Sequence, residues 1–160
     1  MVSTIEQSAL ETIESISIAN HFNELVKIQC WLDEVKIRLL LSEREVFKLD
    51  LVLCEAIPNI IDYGYEDEQN HTITIRLFNY QHSLDLEIID DGIAFNPFTT
   101  EHYQQPTTLD VATITGRGIH LIKSFTDSQI YQRIGNLNIL RVTMLKTPLN
   151  NSSNRNESPQ

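Results

Sequence analysis

Glycine, cysteine and cationic side chains are all scarce in this chain of 160 residues: five Gly, two Cys, and 12 Lys plus Arg against 22 Asp plus Glu. The resulting formal charge of -10 repels a phosphate backbone, which argues against nucleic acid as the main partner. Apolar runs are short, the three leucines of Arg38 to Leu41 being among the longest, whereas a membrane span needs about 20 such residues. No membrane association is expected. The N-terminus carries Glu6, Glu11 and Glu14 with no basic flank, unlike a signal peptide. Cys30 and Cys54 lie within apolar-periodic segments and not at metal-ligand spacing, a pattern that reads as buried thiols in a reducing cytosol and gives no zinc site. The five histidines, His21, His71, His82, His102 and His120, also lack metal spacing.

The chain does have the composition of a packed fold, 41% hydrophobic and 21% charged, at a length that suits one domain of about 100–150 residues plus a tail. Ala9 to Ile18 alternate in part, as a strand does. From Phe22, Leu25, Val26, Leu32, Val35, Leu39 and Leu40 follow helical spacing, with Trp31 on the same helix. Ser42 to Glu45 then form a capping box that starts a second helix near Glu43, and Gly64 is placed to stop it. Along that helix Val46, Leu49, Leu53, Ala56, Ile60 and Tyr63 make one core stripe. A neighbouring stripe holds Val52, Glu55, Asn59 and Asp62, setting a carboxylate and a carboxamide one turn apart.

Thr72 to Phe78 and the Leu84, Leu86, Ile88 segment alternate as paired strands and end at Asp90, Asp91, Gly92. Ile93 to Thr115 show no sustained period, a length that suits a lid or binding loop. Gly116, Arg117 and Gly118 lead into a short helix, and Ser128 to Ile134 with Leu137 to Leu145 form a hairpin around Gly135-Asn136. Thr147 to Gln160 are polar and read as a disordered tail. This order of elements predicts an α+β two-layer sandwich, with helices on one face of a mostly antiparallel, mixed sheet.

Three of the five glycines, Gly92, Gly116 and Gly118, frame the long loop. A Gly-x-Gly entering a helix offers backbone N–H groups and a positive dipole end to phosphate. Taken in order, LVLCEAIPNIIDYGY (Leu51 to Tyr65), LEIIDDGIAFNP (Leu86 to Pro97) and TGRGIHLIKSFTD (Thr115 to Asp127) resemble the N box and the two Gly boxes of the Bergerat-fold (GHKL) ATPases. They are most similar to the small anti-sigma-factor serine kinases of the RsbW-like branch. The resemblance spans about residues 20 to 145 and implies a single ATP-binding, kinase-like domain over residues 1–146.

Residue by residue, the resemblance makes Asn59 the Mg²⁺ ligand that links metal to ATP and Glu55 the general base toward an attacking hydroxyl. Asp90 would accept a hydrogen bond from the adenine amino group, and Gly92 would let the backbone pass the base. Ala94 stands where this box commonly has a second glycine. Gly116 and Gly118 would let the end of the lid wrap the phosphates with free N–H groups, with Arg117 adding a charge there. The implied protein substrate is a Ser or Thr on a STAS-type anti-anti-sigma protein, with a sigma factor as competing partner and a homodimer as the assembly of relatives.

The sequence departs from the family pattern at Pro58, which removes a helix hydrogen bond to the Cys54 carbonyl and predicts a kink between Glu55 and Asn59. That departure keeps open a second reading, a non-catalytic nucleotide-gated protein-binding module. In the last strand the family often places a Thr near the adenine, and here Arg141 or Thr143 is left for that place.

Overall fold

A computed structural model of the protein describes residues 9–99 and 114–147, without side chains for 114–117. Strand β1 (Leu10–Ala19) is followed by a 3₁₀ turn (Phe22–Glu24), helices α1 (Leu25–Arg38) and α2 (Glu43–Tyr63), strands β2 (Thr72–Tyr80) and β3 (Ser83–Asp90), helix α3 (Ile114–Phe125), and strands β4 (Ser128–Ile134) and β5 (Leu137–Leu145). The strands form one sheet in the order β1-β2-β3-β5-β4. All four ladders are antiparallel, so the sheet is not mixed. The polar tail beyond Thr147 lies outside the described residues.

Strand alternation sets the two faces of the sheet. Ile73, Ile75 and Leu77 of β2, Leu84, Leu86 and Ile88 of β3, and Leu140, Val142 and Met144 of β5 are buried in one core with α1 and α2. Register pairs them directly: Ile75 with Ile88, Leu77 with Leu86, Leu86 with Val142 and Ile88 with Leu140. The opposite face is charged and aromatic. There Arg141 pairs with Glu87 at 3.2 Å and lies 4.9 Å over the Phe78 ring, while Phe78 stacks beside Tyr80.

Helix α2 starts at a formed capping box: the Glu45 N–H donates to Ser42 Oγ at 3.3 Å and the Ser42 N–H to Glu45 Oε2 at 2.7 Å. Leu49, Val52, Leu53, Ala56 and Ile57 of α2 are buried. Val52, expected on the stripe beside the core stripe, is therefore core. Tyr63, expected in the core, is 60% exposed. The reason is that the last turns of α2 pass beyond the core and lie against a cavity, which Ala56, Asn59, Ile60 and Tyr63 line at helical spacing. Trp31 packs in the core from α1, whereas Cys30 and Cys54 are both exposed. Each cysteine sits on a helix face turned away from the sheet, which corrects the expectation of buried thiols.

Helix α1 ends in a Schellman motif, with the Leu41 N–H donating to the Lys36 carbonyl at 3.0 Å and the Leu40 N–H to the Ile37 carbonyl at 3.4 Å. The residue in the left-handed position is Leu40, at φ 53°. A side chain there costs about 1–2 kcal/mol, and at 88% exposure Leu40 recovers nothing by packing. Leu40→Gly is expected to raise stability by about 0.5–1 kcal/mol after glycine's larger unfolded-state entropy is subtracted. The readout is a higher urea midpoint at unchanged slope.

Candidate functional site

The cavity beside α2 has a volume of about 450 Å³ and is walled by α2, the segment after β3, α3 and the β4–β5 hairpin. Its lining is largely apolar, with Ile93, Phe95 and Ile119 among the walls, and three polar side chains converge on it: Asn59, Asp90 and Asn138. A concave apolar slot with few placed polar groups suits a flat heterocycle.

Asp90 ends β3 on the core-facing side and is only 6% exposed. Its Oδ1 accepts from the Gly92 N–H at 2.9 Å and from Asn138 Nδ2 at 2.8 Å. Burial pushes the Asp90 carboxyl above its usual range, and these two donors, with Arg133 nearby, oppose that push. The register sets Asn138 directly opposite Asp90. Arg141 and Thr143, considered from sequence for the β5 position near the base, pair instead with Glu87 and Asp85. With odd numbers on β5 they lie on the sheet face away from the cavity, and the β5 residues that line it are Asn138 and Leu140.

Gly92 permits a close approach within the protein. A Cβ there would collide with the Gly64 carbonyl oxygen and come 2.9 Å from Asp90 Oδ1. The turn after β3 is thus laid onto the end of α2, where the Ile93 N–H donates to the Gly64 carbonyl at 2.8 Å. Ala94 is exposed and is not among the cavity's lining residues, which include its neighbours Ile93 and Phe95. Asp62 is exposed and likewise not part of the lining.

Pro58 does not interrupt α2, which runs from Glu43 to Tyr63 as one helix. Asn59 braces the turn at that point, its Nδ2 donating to the Glu55 carbonyl at 2.8 Å. With the amide nitrogen so engaged, Oδ1 is the atom that could hold a cation. Glu55 lies one turn back, outside the cavity lining. There it is seated on α3: a Cβ on Gly118 would collide with Glu55 Oε2 and approach its Cδ to 3.2 Å. Gly116, Arg117 and Gly118 fall within the first two turns of α3, which begins at Ile114. The Gly118 N–H therefore belongs to the helix ladder and is not free for phosphate. What Gly118 contributes is room for Glu55. The Arg117 side chain, and all of the loop from 100 to 113, lie outside the described residues.

Sequence reasoning missed the groups that hold these parts in place. His71 bridges two carboxylates, with Nε2 2.8 Å from Asp67 Oδ1 and Nδ1 3.1 Å from Asp91 Oδ1, and stacks on Tyr65 with ring centroids 4.2 Å apart. Hydrogen bonds to Asp67 and then to Asp91 raise the His71 pKa. A raised folded-state value means that the pairing contributes fully below the ordinary histidine value of about 6.5 and is lost as pH rises through the folded value. In urea melts the protein is expected to lose stability as pH climbs above that ordinary value. His71→Gln is expected to flatten the slope, and an unchanged pH profile in that variant would show that the bridge contributes nothing.

Comparison with known proteins gives a consistent set of matches. A family model described as a histidine kinase-like ATPase domain matches residues 18–144. The chain is 29% identical over 118 residues to the serine/threonine-protein kinase BtrW of Bordetella bronchiseptica, covering 74% of this chain and 83% of that protein. It is 24% identical over 128 residues to the serine-protein kinase RsbW of Bacillus subtilis, covering 74% of this chain and 75% of the relative.

Proposed function

The chain belongs to the histidine kinase-like ATPase domain family, and from that premise we propose that it is an ATP- and Mg²⁺-dependent protein serine/threonine kinase. Its substrate would be a STAS-type anti-anti-sigma protein, with a sigma factor as the competing partner. The observation that carries the nucleotide part is the buried Asp90 carboxyl at an apolar cavity of about 450 Å³, with Asn59 also in the lining and Glu55 one helical turn from Asn59. The kinase part is supported by two relatives named as serine or serine/threonine-protein kinases, each matching over three-quarters or more of its own length.

The donor set fits Mg²⁺, which is commonly held by one or two protein oxygens together with substrate phosphates and water. Asn59 Oδ1 would hold it. When bound, the ion would neutralise charge on the phosphate oxygens during transfer. The chain's own residues supply recognition and proton movement. Asp90 accepts from an exocyclic amino group, and the apolar walls exclude water from the base. Glu55 takes the proton of the attacking serine hydroxyl as its oxygen bonds to the γ-phosphorus and the bond to the β–γ bridging oxygen breaks, leaving phosphoserine and ADP.

Calorimetric titration with a non-hydrolysable ATP analogue is expected to show binding that strengthens with Mg²⁺. Asp90→Asn is expected to weaken it by about 1–3 kcal/mol, because the substituted amide sets a donor against the amino group. Glu55→Gln is expected to abolish transfer to the partner's serine with little change in affinity. Gly118→Ala, which sets a methyl group against the Glu55 carboxylate, is expected to slow transfer in the same selective way. A Glu55→Gln protein that transfers phosphate normally would remove Glu55 from the reaction, and nucleotide binding without any transfer would leave a gated protein-binding module.

A further inference from the structure

The segment that carries the cavity's acceptor is a tight turn, Asp90 to Ile93, and its polar backbone atoms are tied to the β4–β5 hairpin by two side chains. Asn138 Nδ2 donates to Asp90 Oδ1 at 2.8 Å and to the Ile93 carbonyl at 2.9 Å. Asn138 Oδ1 accepts from Tyr131 Oη at 2.7 Å and from Arg133 Nη1 at 2.8 Å. The same Arg133 nitrogen donates to the Gly92 carbonyl at 2.8 Å. Both amide hydrogens and both oxygen lone pairs of Asn138 are thereby used, and the residue is only 7% exposed. None of these bonds engages Asp90 Oδ2.

We propose that Asn138, braced by Arg133, is a positioning residue that fixes the Asp90–Ile93 turn and presents Asp90 as an ionised acceptor for an amino-bearing base. The inference rests on the nucleotide reading of the cavity and goes beyond it, since it assigns base discrimination to residues of the hairpin that act through Asp90. Only a carboxamide meets the demand. It donates twice, to a carboxylate and a carbonyl, and accepts twice from a phenol and a guanidinium. A threonine at this place has one hydroxyl proton and cannot serve both acceptors, and an aspartate would set two carboxylates together.

The charged and titratable groups around Asp90 favour a pH readout. Asp91 follows it in sequence and faces His71, the residue before β2. Arg133 and Tyr131 face it from β4 through Asn138, and Tyr65, whose phenol is pushed up by burial and then by Asp90 and Asp91, closes the side beyond α2. Within this set Asn138 is a neutral donor to Asp90, so its removal takes away a bond to the ionised form without changing net charge. Protonation of Asp90 should then begin at higher pH, and a protonated carboxyl can donate to a carbonyl-bearing base.

The test is titration of the full chain with ADP and with GDP across the acid-to-neutral range, for wild type, Asn138→Leu and Arg133→Gln, with thermal melts to confirm folding. Wild type is expected to prefer ADP, with binding that falls as the solution is acidified. Asn138→Leu is expected to bind ADP about tenfold or more weakly at neutral pH, the scale of a lost buried partner. Its acid limb should move to higher pH and its preference over GDP should narrow. Arg133→Gln, on the edge strand, should show the same changes to a smaller degree, and it decides the matter if Asn138→Leu does not fold. A folded variant with wild-type ADP affinity, acid limb and base preference overturns the proposal. Wild type that binds neither nucleotide overturns the nucleotide reading itself and this proposal with it.

Discussion

The structure around the cavity depends on satisfying one carboxyl group, and its charge when ionised, where water scarcely reaches it. Burying a charge of that kind is costly unless donors replace its hydration. Asp90 obtains them from two directions, the backbone of its own turn and a side chain on the facing strand. Both conditions are set by the sheet. The β3–β5 register brings Asn138 opposite Asp90, and the period-two alternation turns both toward the helices. A slip of one residue in β5 would turn Asn138 to the far face and leave Asp90 without its side-chain donor.

Helix α2 joins the Asp90 turn to the Glu55 contact on α3. Its carboxy-terminal stop at Gly64 supplies the carbonyl to which the Ile93 N–H donates, and the absent side chain of Gly92 permits that contact. Its middle carries Asn59 on the cavity wall and Glu55 against α3. Gly92 thus lets the turn after β3 lie on the backbone at the end of α2, whereas Gly118 leaves room on α3 for the Glu55 side chain. Glycine is otherwise spared: the β1–α1, α1–α2, β2–β3 and α3–β4 connections contain none, even at Leu40, where the backbone is left-handed.

Local pattern made much of the fold legible in the sequence. The capping box at Ser42, the alternation of Thr72 to Phe78 and the Gly135-Asn136 turn, where Gly135 has φ 60°, each specify their element through neighbours a few residues away. Helical spacing and the order of the three boxes single out Glu55, Asn59 and Asp90, of which the structure sets Asn59 and Asp90 at the cavity and Glu55 against α3. What escaped depended on contacts distant in sequence. Asn138 is 48 residues from Asp90 and has no local signature beyond a polar residue in an alternating strand. That polarity on the apolar face of β5 was the available signal, because a buried amide requires partners. His71 escaped in the same way, as a lone histidine whose two carboxylates come from separate turns. Tyr63 and Val52 were misplaced because a helix face was assumed to point one way along its whole length, whereas α2 passes from core to cavity.

The strongly acidic balance of the chain bears on how such a site can work. A net charge of -10 opposes the approach of a polyanionic ligand at long range, an effect that salt screens over about 8–10 Å. On the proposed nucleotide reading, affinity would come from contacts inside that distance: the apolar walls, the Asp90 acceptor and a cation at Asn59. The first two would read the base and be indifferent to the number of phosphates, whereas a cation would be attracted by the protein's field. Base recognition and phosphate recognition would then be separable. The hairpin clamp would govern the first, and the α2–α3 contact at Glu55 and Gly118 would lie on the side of the second.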